Sequence, residues 1–321
     1  MGDPRGVGRF PRGAVDHLVK PLIVAFLCLA VLSGCAKKEP PPPPAAKKAE
    51  PVTLTIGLIP EQNIFKQLER YEPLAGYLSR KTGARIKLKV LPRYRNIIDN
   101  FRSSGLDGAF FGSFTYALAH NKLGVEVLAR PVALDNTSTY FGLIFVRRDS
   151  GIRNLKGMKG KRFVFVDKAT TAGYLLPLDY FHEGGVGDHR SYFKETYFSG
   201  THEDSIYDVL NRKADIGAAK NTIFERLVLE DERVAKELVV LATSPRVPEN
   251  GLAVRGDIDP SLTNLLKDSL LHMHEDPEGR EVLKRFGALG FIETKDEEYD
   301  PVYRYARKIH LDLSTYNYKN D

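Results

Sequence analysis

The sequence is poor in cysteine and lacks a long apolar run, and both absences restrict what the protein can be. Only two cysteines occur among the 321 residues, Cys28 and Cys35. Loss of the segment that holds Cys28 would leave no partner for a disulfide, so the fold must rest on its core. The longest apolar run, residues 22–33, is shorter than the roughly 20 residues that a transmembrane helix needs.

Familiar enzyme signatures are also missing. The sequence has no G-x-S-x-G elbow, no P-loop, no HExxH and no dinucleotide fingerprint. His272 and His274 are two residues apart, which places them on different faces of a helix and argues against a shared metal. We therefore expect no metal, no cofactor and no catalysis. Ser113 with His202 is the one nucleophile and base pair that a hydrolase could use.

The basic charge of the chain does not indicate a nucleic-acid partner. The net charge is +6 and the isoelectric point is about 9.1. The first 50 residues account for most of this excess, and the rest of the chain carries a net charge of about +2. A nucleic-acid binder would concentrate its cations in the folded part. We expect no nucleic-acid partner.

The first 51 residues have the pattern of an export signal followed by an anchor and a spacer. Lys20 precedes the apolar run, which ends in Leu32-Ser33-Gly34-Cys35. This ending resembles the lipobox of bacterial lipoproteins, in which the cysteine takes a diacylglycerol; the alternative is a cysteine that follows a signal sequence by chance. Five prolines at 40–44 favour a semi-rigid polyproline spacer. We predict a signal peptide over 1–34, a lipidated Cys35 and a spacer over 35–51, and hence a lipoprotein anchored at the periplasmic or cell-surface side of a membrane.

From Val52 onward, strand-like and helix-like patterns alternate, which predicts an α/β fold. The predicted strands are 52–59, 85–91, 107–111, 125–132, 139–147, 162–166, 195–198, 215–219, 238–243 and 251–255. The predicted helices are 64–78, 94–101, 114–123, 172–182, 205–210, 223–229, 262–273, 279–286 and 299–309. Repeated βαβ order predicts mostly parallel sheets flanked by helices.

The two series of strands predict two lobes of a two-lobed binding fold. Residues 52–142 and 143–243 each have the size of a small α/β domain. The segment after Ser244 has too few strands to stand alone, so we expect 244–321 to pack on the first lobe. Two crossing strands, near 140–146 and 239–244, would connect the lobes as a hinge.

Hydroxyl residues follow several predicted strands where helices begin. Thr170, Thr171 and Ala172 open a helix in the second lobe, and Ser113 opens one in the first. Such helix starts hold free N–H groups and bind anions, although ordinary helix capping uses the same residues. Two of these turns facing each other would hold a small oxyanion from both sides.

Three more residues occupy similar positions after strands. His202 and Asn221 lie beyond the carboxyl ends of strands, where α/β sheets bind ligands, and Tyr94 opens a helix. Each has a plainer interpretation: His202 as a surface residue or a neighbour of a cap, and Tyr94 as a core residue.

Taken in order, the motifs of residues 52–290 resemble the PhnD-like periplasmic solute-binding proteins of ABC transporters for phosphate, phosphite and phosphonates. The motifs agree in order and spacing. They lie at 107–116, 145–157, 161–177, 200–203, 214–218 and 244–248.

The resemblance implies a type II periplasmic binding protein whose lobes close on the ligand. It implies that Thr170, Thr171 and the adjoining N–H groups grip a phosphorus oxyanion, and that His202 lies in the cleft. It also implies a ligand contact at Phe111, where relatives carry an aromatic residue. Relatives that select an aminoalkyl phosphonate place carboxylates opposite the anion, whereas this chain has Lys220-Asn221 and Glu249-Asn250 in that region. A lysine there would oppose an ammonium group, which favours phosphate or phosphite.

The function implied is reversible trapping without chemistry: a monomer passes its solute to an ABC permease. The alternative is the ligand-binding subunit of a sensory system that uses the same cleft.

Overall fold

Two mixed β-sheets flanked by helices make up the folded chain. The computed structural model describes residues 50–94, 96–99 and 101–320. The six-stranded sheet of lobe 1 contains β1 (Thr53–Leu58), β2 (Arg85–Val90), β3 (Gly108–Phe111), β4 (Val125–Ala133), β12 (Gly251–Arg255) and β13 (Ala288–Glu293). The five-stranded sheet of lobe 2 contains β6 (Gly142–Arg147), β7 (Arg162–Phe165), β8 (Glu195–Phe198), β9 (Ile216–Lys220) and β10 (Leu238–Thr243). Between the lobes lies a two-stranded ribbon of β5 (Thr139–Tyr140) and β11 (Val247–Pro248).

The helices follow the strands in chain order. Those before the first crossing are α1 (Ile64–Thr82), α2 (Asn96–Asp99) and α3 (Ser113–Leu123). Those between β6 and β10 are α4 (Leu155–Met158), α5 (Leu176–Glu183), α6 (His189–Tyr192), α7 (His202–Leu210), α8 (Asn221–Glu230) and α9 (Glu232–Glu237). Those after β12 are α10 (Pro260–Leu271), α11 (Pro277–Phe286) and α12 (Asp300–Lys308). A π-helical turn, Thr171–Leu175, directly precedes α5.

In each sheet most strands run in one direction: β1 to β4 in the six-stranded sheet, and β7 to β10 in the five-stranded sheet. In lobe 1, β1 is parallel to β2 and β3, whereas β12 is antiparallel to β3 and β4, and β13 is antiparallel to β4. In lobe 2, β7 is parallel to β8 and β9, whereas β6 is antiparallel to β9 and β10. Strands β6 and β12 bring the chain in from the other lobe, so no crossover helix within their own sheet sets their direction. The prediction of mostly parallel sheets is confirmed, and β6, β12 and β13 are the reversed strands.

Two chain segments run side by side where the chain passes between the lobes. Strand β5 pairs with β11, and the Gly142 N–H donates to Ser244 Oγ at 2.8 Å. The Ser244 N–H in turn donates to Gly142 O at 2.9 Å. These segments correspond to the two crossing strands expected from the sequence.

Each sheet buries side chains on both faces, and β6 shows how the alternation works. Phe145 packs with the α7 and α8 side of lobe 2, whereas its neighbours Ile144 and Val146 pack on the opposite face. Successive side chains of a strand point to opposite sides, so a fully buried strand needs an unbroken apolar run. All six residues of β6 are buried.

Most of the predicted elements are present with small shifts at their ends. The strands at 195–198, 238–243 and 251–255 have the predicted bounds. Helix α7 begins at His202 rather than at 205, because Thr201 caps it by accepting from the Asp204 N–H at 2.9 Å. The segment after 244 contributes β12 and β13 to the six-stranded sheet. Within the described ranges, no helix is long and apolar enough to cross a membrane, and the predicted signal peptide, Cys35 and most of the spacer lie outside those ranges.

Candidate functional site

Five strand ends converge where the two lobes meet. Glu61, Ser113, Thr171 and His202 lie shortly beyond the carboxyl end of a strand, and Lys220 is the last residue of β9. Hydrogen bonds join these ends across the lobes: the His202 N–H donates to Glu61 O at 3.2 Å, and Lys220 Nζ donates to Glu61 Oε1 at 3.1 Å. This edge is where α/β sheets bind ligands, because loops and helix starts from neighbouring strands converge there.

The π-helical turn before α5 forms the lobe 2 wall of the cleft. The first hydrogen bond within this turn runs from the Leu175 N–H to Thr170 O. The N–H groups of residues 171–174 therefore lie before the first hydrogen-bonded N–H of the turn along the chain. Thr170 Oγ1 donates to Asp167 O at 2.6 Å, which holds the turn closed on itself. The turn needs glycine at 173, because a Cβ there would lie 2.4 Å from Val166 Cβ.

Residues at the start of α3 form the opposite wall. The Phe114 N–H donates to Thr171 Oγ1 at 2.8 Å, and Thr115 Oγ1 donates to Ala169 O at 2.7 Å. Ser113 Oγ donates to Pro248 O at 2.5 Å. The two hydroxyl-bearing helix starts that the sequence singles out therefore face each other.

His202 and Tyr94 contribute two polar groups at the same edge. His202 is 4% exposed, and its Nδ1 accepts from the Lys220 N–H at 3.2 Å. Since Nδ1 accepts, the neutral ring carries its proton on Nε2, which can donate. Burial lowers the pKa of His202 to about 4, against the opposing attraction of Glu61. The Tyr94 ring lies edge-on to His202 at 6.1 Å, and its buried hydroxyl has no hydrogen-bond partner among the described residues.

Lys220 is the buried cation of the cleft. Its Nζ donates to Glu61 Oε1 at 3.1 Å, to Asn250 Oδ1 at 3.2 Å and to Glu249 Oε1. It also lies 4.4 Å from the centroid of the Tyr140 ring. Burial opposes ionisation of Glu61, but the charges of Lys220 and His202 and a hydrogen bond from Asn250 outweigh it and lower the pKa of Glu61 to about 2. Despite burial, the carboxylates of Glu249 and Glu61 raise the pKa of Lys220.

The remaining candidate residues have other surroundings. The Phe111 ring is fully buried and stacks on Phe101 at 6.4 Å, which is a contact of the lobe 1 interior. Asn221 uses its Oδ1 to accept from the Phe141 N–H at 3.0 Å, so its side chain supports the hinge. Ala172 packs against that hinge as well, because a Cβ at Gly142 would lie 3.2 Å from its Cα.

Sequence reasoning missed Glu61 and Tyr140 as cleft residues. Glu61 follows β1, so the strand-end rule that selected His202 would have found it. Tyr140 lies in the ribbon between the lobes, and its hydroxyl accepts from the Ser113 N–H at 3.4 Å. No local pattern marks Tyr140, because its role depends on the pairing of β5 with β11.

Ser113 and His202 are not arranged as the nucleophile and base pair that a hydrolase would need. The Ser113 hydroxyl proton is donated to Pro248 O, and His202 Nδ1 already accepts from the Lys220 N–H. Ser113 is therefore not poised for activation by His202, which requires a hydrogen bond between the two. Across the part of the chain that the structure describes, no three His, Cys, Asp or Glu side chains form a group suited to a metal ion.

Comparison with known proteins agrees with this architecture. A family model described as ABC transporter, phosphonate, periplasmic substrate-binding protein matches residues 56–299. The phosphonates-binding periplasmic protein of Escherichia coli is 26% identical over 258 residues, which cover 79% of this chain and 75% of that protein.

Two solved structures are similar as well. A binding protein component of an ABC phosphonate transporter from Pseudomonas aeruginosa has a TM-score of 0.74 at 26% identity, with 79% of this chain and 85% of that one covered. PhnD1 from Prochlorococcus marinus in complex with methylphosphonate shares the fold, with a TM-score of 0.72 at 22% identity over 80% of this chain and 98% of that one. Since the family model spans most of the chain, this protein belongs to the family of periplasmic substrate-binding proteins of phosphonate ABC transporters.

Proposed function

We propose that this chain is the lipid-anchored solute receptor of an ABC importer, and that it traps a phosphorus oxyanion between its lobes and delivers it to the permease. The proposed lobes are 52–142 with 244–321, and 143–243, and the proposed anchor is Cys35. The ligand class is phosphate, phosphite or a small phosphonate. The protein would act as a monomer and by binding alone, without turnover.

The observation that carries this proposal is the pair of helix starts that face each other across the cleft. The Phe114 amide donates to the Thr171 hydroxyl oxygen at 2.8 Å, so the two helix starts are in direct contact. The amides from Thr171 to Gly173 precede the first hydrogen bond of their turn and lie at the positive end of α5. Amides at such an end attract an anion by hydrogen bonding and by the helix dipole.

Two further donors support an oxyanion rather than a cation as the ligand. His202 Nε2 carries the proton of the neutral ring, because Nδ1 accepts from the Lys220 amide. The Tyr94 hydroxyl is buried and has no partner among the residues that the structure describes. A buried polar group without a partner is costly, and an oxyanion would supply its acceptor.

The test is a thermal-shift titration of the full chain, purified in detergent and dialysed free of bound solute. The panel is phosphate, phosphite and methylphosphonate, with sulfate as an oxyanion of similar shape that lacks phosphorus. A ligand at a hundred times its dissociation constant should add about 2.7 kcal/mol to the free energy of unfolding. Stabilisation by a phosphorus compound and not by sulfate supports the proposal, and no response to any of the three would overturn it.

A further inference from the structure

The ammonium group of Lys220 occupies a cation pocket whose walls come from the opposite lobe. Lys220 ends β9 of lobe 2, yet its Nζ contacts Glu61, Glu249 and Asn250, all of which belong to lobe 1. The Lys220 side chain is 4% exposed and that of Glu61 is 8% exposed. The three donors of an ammonium group are thus matched by three acceptors.

The pocket holds one cation, the Lys220 ammonium group, against two carboxylates. Two carboxylates face one lysine, and removal of that lysine would leave two buried or half-buried anions without a counter-ion. An uncompensated buried charge is far more costly than a paired one. The Tyr140 ring, 4.4 Å from Nζ, completes the surroundings with a π-face, which also favours a cation. The carboxylates therefore need a cation at this point whenever the lobes are together.

The same lysine is tied to the oxyanion side of the cleft. Its backbone N–H donates to His202 Nδ1 and thereby sets the tautomer that leaves a proton on Nε2. Its side chain pairs with the lobe 1 carboxylates of Glu61 and Glu249. The cleft consequently holds donors for an oxyanion on one side and a built-in cation on the other.

We propose that Lys220 determines ligand class by holding the cation pocket, so that the cleft accepts phosphorus oxyanions without an amine and rejects aminoalkyl phosphonates. The inference rests on the proposed function, since it assigns a specificity to the same cleft. A ligand ammonium would have to compete with Nζ for Glu61 and Glu249, which would place two cations close together in one pocket. A compact oxyanion such as methylphosphonate makes no such demand.

The experiment is calorimetric titration of the full chain with methylphosphonate and with 2-aminoethylphosphonate. We expect wild type to bind methylphosphonate at least tenfold more tightly than the amine. The Lys220→Ala variant should reverse this preference, because the ligand ammonium then supplies the missing cation. Ethylammonium chloride added to Lys220→Ala should partly restore methylphosphonate binding by filling the same space.

Two more variants keep the test decisive. Lys213→Ala removes an exposed lysine of lobe 2 that pairs with Asp208, and it should keep the wild-type preference. Lys220→Met removes the charge but keeps most of the side-chain length; it should lose the wild-type preference, and it serves if Lys220→Ala does not fold.

The outcomes separate the two proposals. Wild type that binds both ligands within about threefold overturns the role of Lys220 and leaves the proposed function standing. The same holds if the preference in Lys220→Ala equals that of wild type. Failure of wild type to bind any phosphorus oxyanion overturns the proposed function instead.

Discussion

The Thr171 hydroxyl oxygen accepts a hydrogen bond from the Phe114 amide at 2.8 Å, and this contact joins the lobe 2 helix start to the lobe 1 helix start. Thr171 is 2% exposed, so water does not replace the contact while the lobes are together. This contact therefore joins the two helix starts that we propose as the walls of the ligand site. Thr171 is also the first residue of the π-helical turn before α5.

We expect Thr171→Ala to weaken phosphorus-ligand binding by about tenfold. The variant removes the acceptor of the Phe114 amide in the closed form only, and loss of that hydrogen bond destabilises the closed form by about 1 kcal/mol or more. Calorimetric titration measures the change in affinity. The melting temperature of the ligand-free protein should stay near that of wild type. Thr82→Ala, which removes a hydroxyl bonded within α1, is the matched control. Unchanged affinity in Thr171→Ala would remove this residue from the site.

Gly173→Ala should distort the turn before α5 and reduce both stability and affinity. A Cβ at 173 would lie 2.4 Å from Val166 Cβ and 2.8 Å from Thr170 Oγ1, so the turn must shift. Overpacking of this kind typically costs about 1–3 kcal/mol. Urea unfolding measures the loss. Gly187→Ala is the matched control, since nothing lies within 4 Å of a Cβ there, and a similar loss in both variants would contradict the steric explanation.

The free energy of unfolding should fall as the pH decreases from 6.5 toward 4. Burial lowers the pKa of His202 from 6.5 to about 4, so the unfolded chain takes up a proton before the folded one does. Protonation in that window therefore favours the unfolded state, by up to about 3 kcal/mol. Glu61, with its pKa lowered from 4.5 to about 2, adds a separate loss below pH 4.5.

Urea titrations across this pH range measure the slope. In His202→Asn, whose side-chain oxygen can still accept from the Lys220 amide, the decline between pH 6.5 and 4 should be shallower. Equal slopes in wild type and variant would show that His202 is not the group responsible.

The C-terminal tail should stabilise the turn that we propose as part of the ligand site. Tyr316 Oη donates to Lys168 O at 2.9 Å, and Asn320 Nδ2 donates to Asp167 Oδ2 at 2.8 Å. We expect Tyr316→Phe to increase amide exchange over 167–173 and to weaken ligand binding several-fold, since a lost hydrogen bond is worth about 1 kcal/mol. Hydrogen-exchange mass spectrometry measures the first effect.

Tyr318 offers a matched control for Tyr316. It lies in the same tail, but its hydroxyl bonds to Asp99 of lobe 1. Tyr318→Phe should leave exchange over 167–173 as in wild type. If both variants raise that exchange equally, the tail acts through general fraying and not through its contact with Lys168.

Under the proposed anchoring, Cys35→Ser should release the protein from the membrane fraction, because the proposed thioether between Cys35 and the lipid cannot form. Cell fractionation with immunodetection measures the distribution. Cys28→Ser, which alters the other cysteine within the apolar run, is the control and should leave the protein membrane-bound. Retention of Cys35→Ser in the membrane would argue against lipidation at this position.

The local sequence pattern was enough to predict most helices, most strands and the α/β class. Burial imposes a period of two residues on strands and of 3.6 residues on helices. Strand β13 was missed, since its buried and exposed positions do not alternate strictly. The strand-end rule located Thr171, Ser113 and His202, because carboxyl ends of parallel strands meet at one sheet edge whatever the rest of the fold does.

The tertiary structure was needed for strand direction, for the partners of Lys220 and for the place of Phe111. Direction in β6 and β12 depends on how the chain crosses between lobes, which no short pattern records. Lys220 is separated in the sequence from Glu61 by 159 residues and from Glu249 by 29 residues. Their ion pairs therefore form only once the lobes are together. Periodicity reports which side chains are buried, whereas packing across the lobes decides which buried groups face each other and hence what the cleft can bind.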